Sequence, residues 1–318
     1  MKQKTMSKPE LLVVGPYPEW DMAALEESYS VYRVWEAENR ASFLGQHADK
    51  IQAIATRGDL GASAELMVQL PNLQIVAVFG VGTDSVDLAY ARSRNIHVTN
   101  TPDVLTGDVA DLGMALLLAA ARLLPQGDAL VRSRAWPKGG LRLTTRVFGK
   151  KVGIVGMGRI GQAFAKRAAA FECDISYFSR SARAGLPYRF VPGILDLARN
   201  VEFLVVTLAG GEGTKNIINA DVLKALGLDG ILVNISRGST VDEEALLNAL
   251  ETRAIKAAAL DVFLNEPSIN TRFLALDNAV LHPHHASGTV ETRRAMGQLV
   301  RDNLAAHFAG KPLLTPVV

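Results

Sequence analysis

The sequence has almost no cysteine, almost no excess of charge of either sign, and no long hydrophobic run. The single cysteine, Cys173, excludes an internal disulfide. With 34 basic and 32 acidic residues the formal net charge is only +2, and no block of like charges occurs. The composition therefore gives no basis for a nucleic-acid partner.

Membrane insertion and export are also not indicated. The longest strongly apolar stretch, residues 114–121, is far too short to cross a bilayer, so no membrane partner is predicted. The first ten residues, MKQKTMSKPE, lack the apolar region of a signal peptide, and we therefore expect a cytoplasmic location. What the sequence does contain is 48% hydrophobic and 21% charged residues over 318 positions, which is typical of a globular protein with two domains.

Strand-like runs alternate with amphipathic helical segments along most of the chain, and such alternation predicts parallel sheets covered by helices. In the first third of the chain the runs are 11–15, 30–34, 51–56, 73–80 and 96–100. From residue 151 the alternation restarts, with runs at 152–155, 174–178, 203–207, 230–235, 256–261 and 279–282. Six strands match a complete dinucleotide-binding domain. The predicted fold is α/β, with two doubly wound parallel-sheet (Rossmann-like) domains and a cleft between them.

The first domain is predicted to be discontinuous. Residues 103–124 are expected to form a long, mostly buried helix closed by Pro125, and residues 126–149 are polar and expected to be irregular. A final amphipathic helix over 290–310 lies past the last strand, so we expect it to pack on the first domain. The predicted division is a substrate-binding (flavodoxin-like) domain over 1–101 plus 286–318, and a dinucleotide-binding Rossmann domain over 102–285.

A glycine fingerprint marks the start of the second domain. The stretch KKVGIVGMGRIG at 150–161 contains an apolar strand followed by Gly156, Gly158 and Gly161, and helical spacing of apolar residues follows. Gly156 would make the turn, Gly158 would admit a pyrophosphate, and Gly161 would let the helix pack closely on the strand. A glycine turn without a ligand is the alternative, but the strand and helix on either side favour a nucleotide site.

The end of the second strand of this domain indicates which nucleotide is bound. An enzyme selective for NAD usually has an acidic residue at this position to bind the ribose hydroxyls. Here Tyr177-Phe178 is followed by Ser179-Arg180-Ser181-Ala182-Arg183, with no carboxylate. Two guanidinium groups and two hydroxyls suit a 2′-phosphate. The pattern predicts NADPH, with NADH possible but weaker, and a solvated basic loop remains the alternative.

Three polar side chains follow strands of the second domain, where ligands bind in open α/β sheets. They are Arg237 after ILVNIS, Glu266 after ALDVFLN, and His284 after AVLHP. Each alone has an ordinary explanation as a surface or loop residue. Together they could form a catalytic site. The arginine would bind a carboxylate or carbonyl oxygen, and the carboxylate would orient a histidine that donates a proton.

Two further features of the sequence each allow more than one interpretation. His282 and His284 would share a face of an extended segment and could contact a metal, but no Cys or acidic residue close by in the sequence adds a third ligand, so no metal is predicted. The glycine-containing segment at 80–83 follows an apolar run, and its amides could bind an anion. A plain glycine turn is the alternative there.

Several motifs in the same order resemble the D-isomer-specific 2-hydroxyacid dehydrogenase family, especially its NADPH-dependent glyoxylate/hydroxypyruvate and hydroxyphenylpyruvate reductases. They are TNTPDVLTGDVADLG at 99–113, GMGRIG at 156–161, NISRGSTVDEEAL at 234–246, LDVFLNEP at 260–267, and the stretch from LHPHHASGT at 281–289 to the C-terminus. The match covers nearly the whole chain, strongly from about residue 70.

The resemblance implies a role for each matching position. It implies that Arg237 binds the substrate, that Glu266 orients the histidine, and that His284 donates the proton. The implied substrate-binding residues are Val81, Gly82, Arg237 and His284. The implied cofactor contacts are Thr106, Gly156, Met157, Gly158, Arg159, Ile160, Gly161, Ser179, Arg180, Ser181, Ile235, Ser236, Arg237 and Asp261, the last near the nicotinamide amide. A homodimer is also implied, with Trp136 as a candidate for reaching the partner's site.

The sequence departs from the family at three places: residues 208–214 replace a proline-containing segment with a glycine-rich one, Ser236 replaces a common glycine, and His285 replaces an apolar residue. These affect the expected cofactor affinity and pocket shape. The predicted reaction is NADPH-dependent reduction of a small 2-keto acid (glyoxylate, hydroxypyruvate or an aryl-pyruvate) to the D-2-hydroxy acid. Two alternatives stay open: NAD-dependent oxidation of a D-2-hydroxy acid of the phosphoglycerate or lactate type, and a non-catalytic, nucleotide-sensing corepressor-like protein.

Overall fold

A computed structural model describes residues 8–318, and the contacts within it divide the chain into two compact units. The first unit runs up to Leu105 and resumes over Thr289–Val318, and the second is Thr106–Gly288. Each unit contains one parallel sheet covered by helices, so the predicted fold class is confirmed. The roles predicted for the two domains stay predictions.

Twelve strands and eleven α-helices make up the described chain. The strands are β1 Glu10–Val13, β2 Ser30–Arg33, β3 Ala53–Arg57, β4 Ile75–Phe79, β5 His97–Thr99, β6 Lys151–Val155, β7 Asp174–Phe178, β8 Arg189–Phe190, β9 Phe203–Val206, β10 Ile231–Asn234, β11 Ala257–Leu260 and β12 Ala279–Leu281. The helices are α1 Glu19–Ser28, α2 Arg40–His47, α3 Ala64–Val68, α4 Leu88–Ser93, α5 Thr106–Arg122, α6 Leu124–Arg132, α7 Arg159–Ala170, α8 Ile194–Arg199, α9 Ala220–Leu226, α10 Glu243–Glu251 and α11 Val290–Phe308.

The sheet of the first unit has the strand order β2-β1-β3-β4-β5. Every residue of β4 is buried, because apolar residues fill both faces of a strand that helices cover on both sides. The long helix α11 packs on β4 through buried Met296, Val300 and Leu304. On α11, Arg301 also pairs with the buried carboxylate of Asp21 in α1. The predicted C-terminal helix therefore belongs to the first unit.

The sheet of the second unit has the order β12-β11-β10-β9-β6-β7-β8, and all its strands are parallel. The two-residue strand β8 is too short to be detected as an apolar run. The strand order reverses beside β6, and such a switch point is where open α/β sheets bind ligands. The fold thus places the glycine fingerprint, which follows β6, at the expected ligand-binding edge. Within residues 8–318, no helix is both long and apolar enough to span a membrane.

The segment predicted to be irregular contains a helix. The preceding helix, α5, ends at Arg122, Leu123 turns the chain with a positive φ of 53°, and α6 begins at Leu124. Pro125 therefore lies in the first turn of a new helix, where its missing amide proton costs nothing, rather than ending the old one. No residue of α6 is buried, so its apolar residues face no core within the described chain.

Candidate active site

The glycine fingerprint forms a tight turn between β6 and α7. Gly156 has a φ of 104°, which side chains rarely tolerate. A Cβ on Gly161 would lie 2.1 Å from the carbonyl oxygen of Gly156, so α7 approaches the strand more closely than any other residue would permit. The same carbonyl accepts a hydrogen bond from Thr207 Oγ1 at 2.5 Å. A Cβ on Gly158, the residue before α7, would meet nothing within 4 Å, so space is open beside the helix N-terminus where a pyrophosphate would bind.

The loop after β7 presents its basic side chains to solvent. Ser179 Oγ donates to the carbonyl of Ser181 at 2.5 Å, and the buried Tyr177 hydroxyl accepts from the Arg183 amide at 2.7 Å. These bonds fix the loop backbone, while Arg180 and Arg183 are exposed and pair with no other side chain in the described chain. The loop is therefore ordered and leaves two guanidinium groups available for an anion.

A buried asparagine shapes the turn that bears Arg237. Asn234, the last residue of β10, accepts from the Ser236 amide at 3.0 Å and from Ser236 Oγ at 2.7 Å, and donates to the carbonyl of Arg237 at 3.0 Å. Thr240 Oγ1 donates to the same carbonyl at 2.7 Å. The Arg237 guanidinium donates to the carbonyl of Ser236 through Nη1 at 2.7 Å. Ser236, one of the predicted departures from the family pattern, thus takes part in the hydrogen bonds that fix this turn.

His284 and Glu266 form a hydrogen-bonded pair. His284 Nδ1 lies 2.5 Å from Glu266 Oε2, and the other carboxylate oxygen accepts from the amide of Phe263 at 2.7 Å. The side chains are 39% and 26% exposed. Because Nδ1 faces the carboxylate, the other ring nitrogen of His284 is left to face a ligand, which is the orientation a proton donor needs.

The electrostatics of Glu266 favour its ionised form. Burial by itself would raise the pKa of Glu266, but the hydrogen bond with His284, the amide of Phe263 and the positive charge of Arg237 outweigh it and hold that pKa below its ordinary value. All three predicted catalytic side chains belong to the second unit, and the charge of Arg237 contributes to lowering the pKa of Glu266. A carboxylate kept ionised beside an imidazole stabilises the protonated imidazole.

A second imidazole–carboxylate pair lies beside the first. The side chain of Asp261 is only 1% exposed. Its Oδ1 lies 2.5 Å from His282 Nδ1 and accepts a hydrogen bond from the amide of His285 at 2.9 Å. Its Oδ2 accepts from the amide of Ala286 at 3.1 Å. The buried carboxylate therefore holds the loop on both sides of His284, whose own φ is 47°. Asp261 was predicted as a cofactor contact, and its role in the loop was not predicted. Strands β11 and β12 pair Leu260 with Leu281, so their next residues, Asp261 and His282, could have been expected to meet.

The remaining predicted positions lie in both units. Thr106, half-buried, begins α5, and the side chain of buried Ile235 packs towards Gly113 of that helix. Val81 and Gly82 lie in the first unit, after β4. There the carbonyl of Val81 accepts from Asn100 at 2.8 Å, and no described residue accepts from the amides of Val81, Gly82 or Thr83.

Within residues 8–318, no cluster of three or more His, Cys, Asp or Glu could hold a metal ion, and His282 and His284 each pair with a different carboxylate.

Comparison with known proteins gives consistent matches. Residues 114–286 match the family model of the D-isomer specific 2-hydroxyacid dehydrogenase, NAD binding domain. The chain is 46% identical to glyoxylate/hydroxypyruvate reductase A of Arabidopsis thaliana and 46% identical to hydroxyphenylpyruvate reductase of Plectranthus scutellarioides, each over 97% of this chain and 98% of the relative. A solved structure of the NADPH-dependent glyoxylate/hydroxypyruvate reductase of Sinorhizobium meliloti, in complex with NADP and malonate, superposes with a TM-score of 0.91 at 41% identity, covering 98% of this chain and 97% of that one.

Proposed function

The chain belongs to the D-isomer specific 2-hydroxyacid dehydrogenase family, and on this basis we propose that it uses NADPH to reduce a small 2-keto acid to the D-2-hydroxy acid. Glyoxylate, hydroxypyruvate and aryl-pyruvates are the candidate substrates, since relatives that this chain matches over nearly their full length are named for such reactions. The observation that supports the proposal most directly is the hydrogen bond between His284 and Glu266 within the electrostatic reach of Arg237.

The residues present fit NADPH. The open space at Gly158 and the first turn of α7 suit its pyrophosphate, and the loop from Ser179 to Arg183 offers two exposed guanidinium groups and no carboxylate to its 2′-phosphate. Bound NADPH supplies the hydride for the keto carbon. Asp261 is proposed to lie near the nicotinamide amide, although its carboxylate also holds the loop of His284.

The chain's own residues then bind, orient and protonate the substrate. Arg237 binds the substrate's carboxylate or carbonyl oxygen, and the amides of Val81 and Gly82 add donors for the carboxylate. His284 in its protonated form gives its proton to the keto oxygen, which becomes the hydroxyl of the product. Glu266 accepts from Nδ1 throughout, so it orients the ring and stabilises its positive charge.

We also propose that the protein is a homodimer. Large apolar side chains are exposed in and after α6, where no residue of the helix is buried. They include Leu124 at 56%, Val131 at 56%, Trp136 at 63% and Leu143 at 99% exposure. A patch of this kind is typical of an interface. Sedimentation equilibrium tests the proposal, because replacing Val131 and Leu143 with glutamate should give a folded monomer.

The reaction is tested with a panel of 2-keto acids against NADPH and NADH, followed by the loss of absorbance at 340 nm. We expect turnover with NADPH above that with NADH. The variant His284→Gln should lower kcat by about 100- to 10,000-fold, the usual contribution of a general acid. The neighbouring variant His285→Gln is the control and should change kcat little.

Three results would contradict the proposal. Near-normal turnover of His284→Gln would remove the histidine from the reaction. Faster turnover with NADH than with NADPH would favour the NAD-dependent alternative. Tight NADPH binding without turnover of any 2-keto acid would favour a nucleotide-sensing protein.

A further inference from the structure

An arginine in the first unit lies half-buried without an anionic partner. Arg293, in the first turns of α11, places its guanidinium 5.6 Å from the centroid of the Phe79 ring, at the end of β4. In the part of the chain that the structure describes, this guanidinium makes no hydrogen bond and no ion pair. By contrast, Arg301 on the same helix pairs with Asp21.

The surroundings of Arg293 are positively charged. Burial lowers the pKa of Arg293, and the nearby charge of Arg57 lowers it further, while Asp59 offsets only part of this. The carboxylate of Asp59 is itself engaged by Arg57, with Nε to Oδ1 at 3.0 Å and Nη2 to Oδ2 at 2.6 Å. Arg57 and Arg293 are thus both near the charge of Asp59, and only Arg57 forms an ion pair with it. A partly buried charge without a partner is unfavourable, so an anion would be stabilised there.

This charge lies at the ligand-binding edge of the first sheet. Arg57 and Phe79 are paired residues at the carboxyl ends of β3 and β4, and parallel sheets bind ligands at that edge. Phe79 is followed directly by the loop whose amides at Val81 and Gly82 are proposed to bind the substrate carboxylate. The same edge thus offers two separate sets of groups for negative charge, namely backbone amides and the guanidinium of Arg293.

We propose that Arg293 binds a second carboxylate of the substrate, so that the protein reduces 2-keto dicarboxylic acids more efficiently than 2-keto monocarboxylic acids of the same length. The assignment rests on the proposed 2-keto acid reductase function. The planar guanidinium matches a carboxylate in geometry, and the Phe79 ring below it limits the directions from which the anion can approach.

The test compares two substrates and three enzymes. The substrates are 2-oxoglutarate and 2-oxopentanoate, which share a five-carbon chain and differ in the second carboxylate. The enzymes are the wild type, Arg293→Met, and Arg294→Met as the control. Arg294 is a matched control because it is the next residue of α11 and its guanidinium also lies over an aromatic ring, that of Trp20, at 5.5 Å.

The expected result is selective. Arg293→Met should lower kcat/KM for 2-oxoglutarate by roughly ten- to a hundredfold, the value of a hydrogen bond to a charged group, and should change kcat/KM for 2-oxopentanoate by less than roughly threefold. Arg294→Met should change neither. Arg293→Lys should retain part of the preference, because it keeps the charge but loses the planar fork. Thermal unfolding without ligand shows whether each variant is folded.

Several outcomes would overturn the inference while leaving the proposed function intact. If Arg293→Met lowered kcat/KM equally for both substrates, Arg293 would bind the carboxylate that they share or would be needed for folding. Turnover of glyoxylate without a preference of the wild type for 2-oxoglutarate over 2-oxopentanoate would show that no second carboxylate is bound. Binding of glutarate, measured by calorimetry, tests the site without turnover. The wild type should bind glutarate more tightly than Arg293→Met does, and equal affinities would also overturn the inference.

Discussion

Replacing Glu266 with glutamine tests the catalytic arrangement more sharply than removing the histidine does. The variant Glu266→Gln keeps the size of the side chain and can still accept the hydrogen bond from the amide of Phe263. It removes only the negative charge beside His284. If that charge stabilises the protonated imidazole, the variant should retain the fold and NADPH binding but protonate the substrate less well.

The structure sets the size of the effect. Two unit charges about 4 Å apart interact by about 4 kcal/mol at an effective dielectric constant of about 20. His284 and Glu266 are 39% and 26% exposed, so solvent screening reduces this value. We therefore expect a loss of about 1.5–3 kcal/mol, as for a hydrogen bond to a charged group. A loss of that size corresponds to about a 10- to 150-fold decrease in kcat.

The effect of Glu266→Gln is measured against a matched control. The assay is the steady-state kcat of the wild type and of Glu266→Gln with saturating NADPH. Glu243→Gln is the control. The carboxylate of Glu243 also accepts a hydrogen bond from a backbone amide near Glu266, that of Leu264 at 3.3 Å, but it does not pair with the imidazole of His284. A Glu266→Gln enzyme with wild-type kcat would refute the reasoning.

Three further predictions concern other parts of the second unit. Gly113→Val should lower the free energy of unfolding by about 1–3 kcal/mol in urea titrations, because a Cβ there would lie 2.7 Å from the side chain of Ile235. Gly107→Val should cost less, because a Cβ there would be 3.8 Å from Arg167 Nη2, an ordinary contact distance. Arg180→Ala should raise KM for NADPH about tenfold or more and leave KM for NADH unchanged, since only NADPH has the 2′-phosphate; equal effects on both would contradict the assignment. Burial raises the pKa of Glu202, but its bonds with Lys150 and the Lys151 amide outweigh this and leave the pKa lowered. A carboxyl group whose pKa is lower in the folded state stabilises the fold above its unfolded pKa of about 4.3 and loses this contribution as the pH falls. Calorimetry should therefore show the melting temperature of Glu202→Gln changing less with pH below 5 than that of the wild type.

The strands were predictable because a buried strand appears in the sequence as a short run of apolar residues. The runs at 203–207 and 230–235, for example, correspond to β9 Phe203–Val206 and β10 Ile231–Asn234, which are buried throughout. Helix α6 was not predictable in this way, since it buries no side chain in the chain itself and begins with a proline in its first turn. Its apolar residues would be explained by a partner chain, which a pattern search within one chain does not detect.

The catalytic candidates were predictable because each lies a few residues beyond the end of a strand, whereas their partners depend on which strands are neighbours. The pairing of His284 with Glu266 was inferred from the family resemblance. The pairing of His282 with Asp261 follows from the register of β11 and β12, which no single segment reveals. Arg293 was missed for a similar reason. It lies far along the chain from Arg57 and Phe79, and only folding brings the three side chains together.

The register of β12 has a consequence for how this protein tolerates change. This strand has three residues and forms the edge of its sheet, yet it decides which histidine reaches which carboxylate. Successive residues of a strand point to opposite faces, so sliding β12 by one position would turn its side chains, and that of His282 after them, to the other face of the sheet. Inserting or deleting one residue in the turn at 276–278, where Asp277 is exposed but Asn278 is only 3% exposed, would therefore separate acid from imidazole in both pairs. This connection is thus expected to keep a fixed length for the sake of chemistry several residues away.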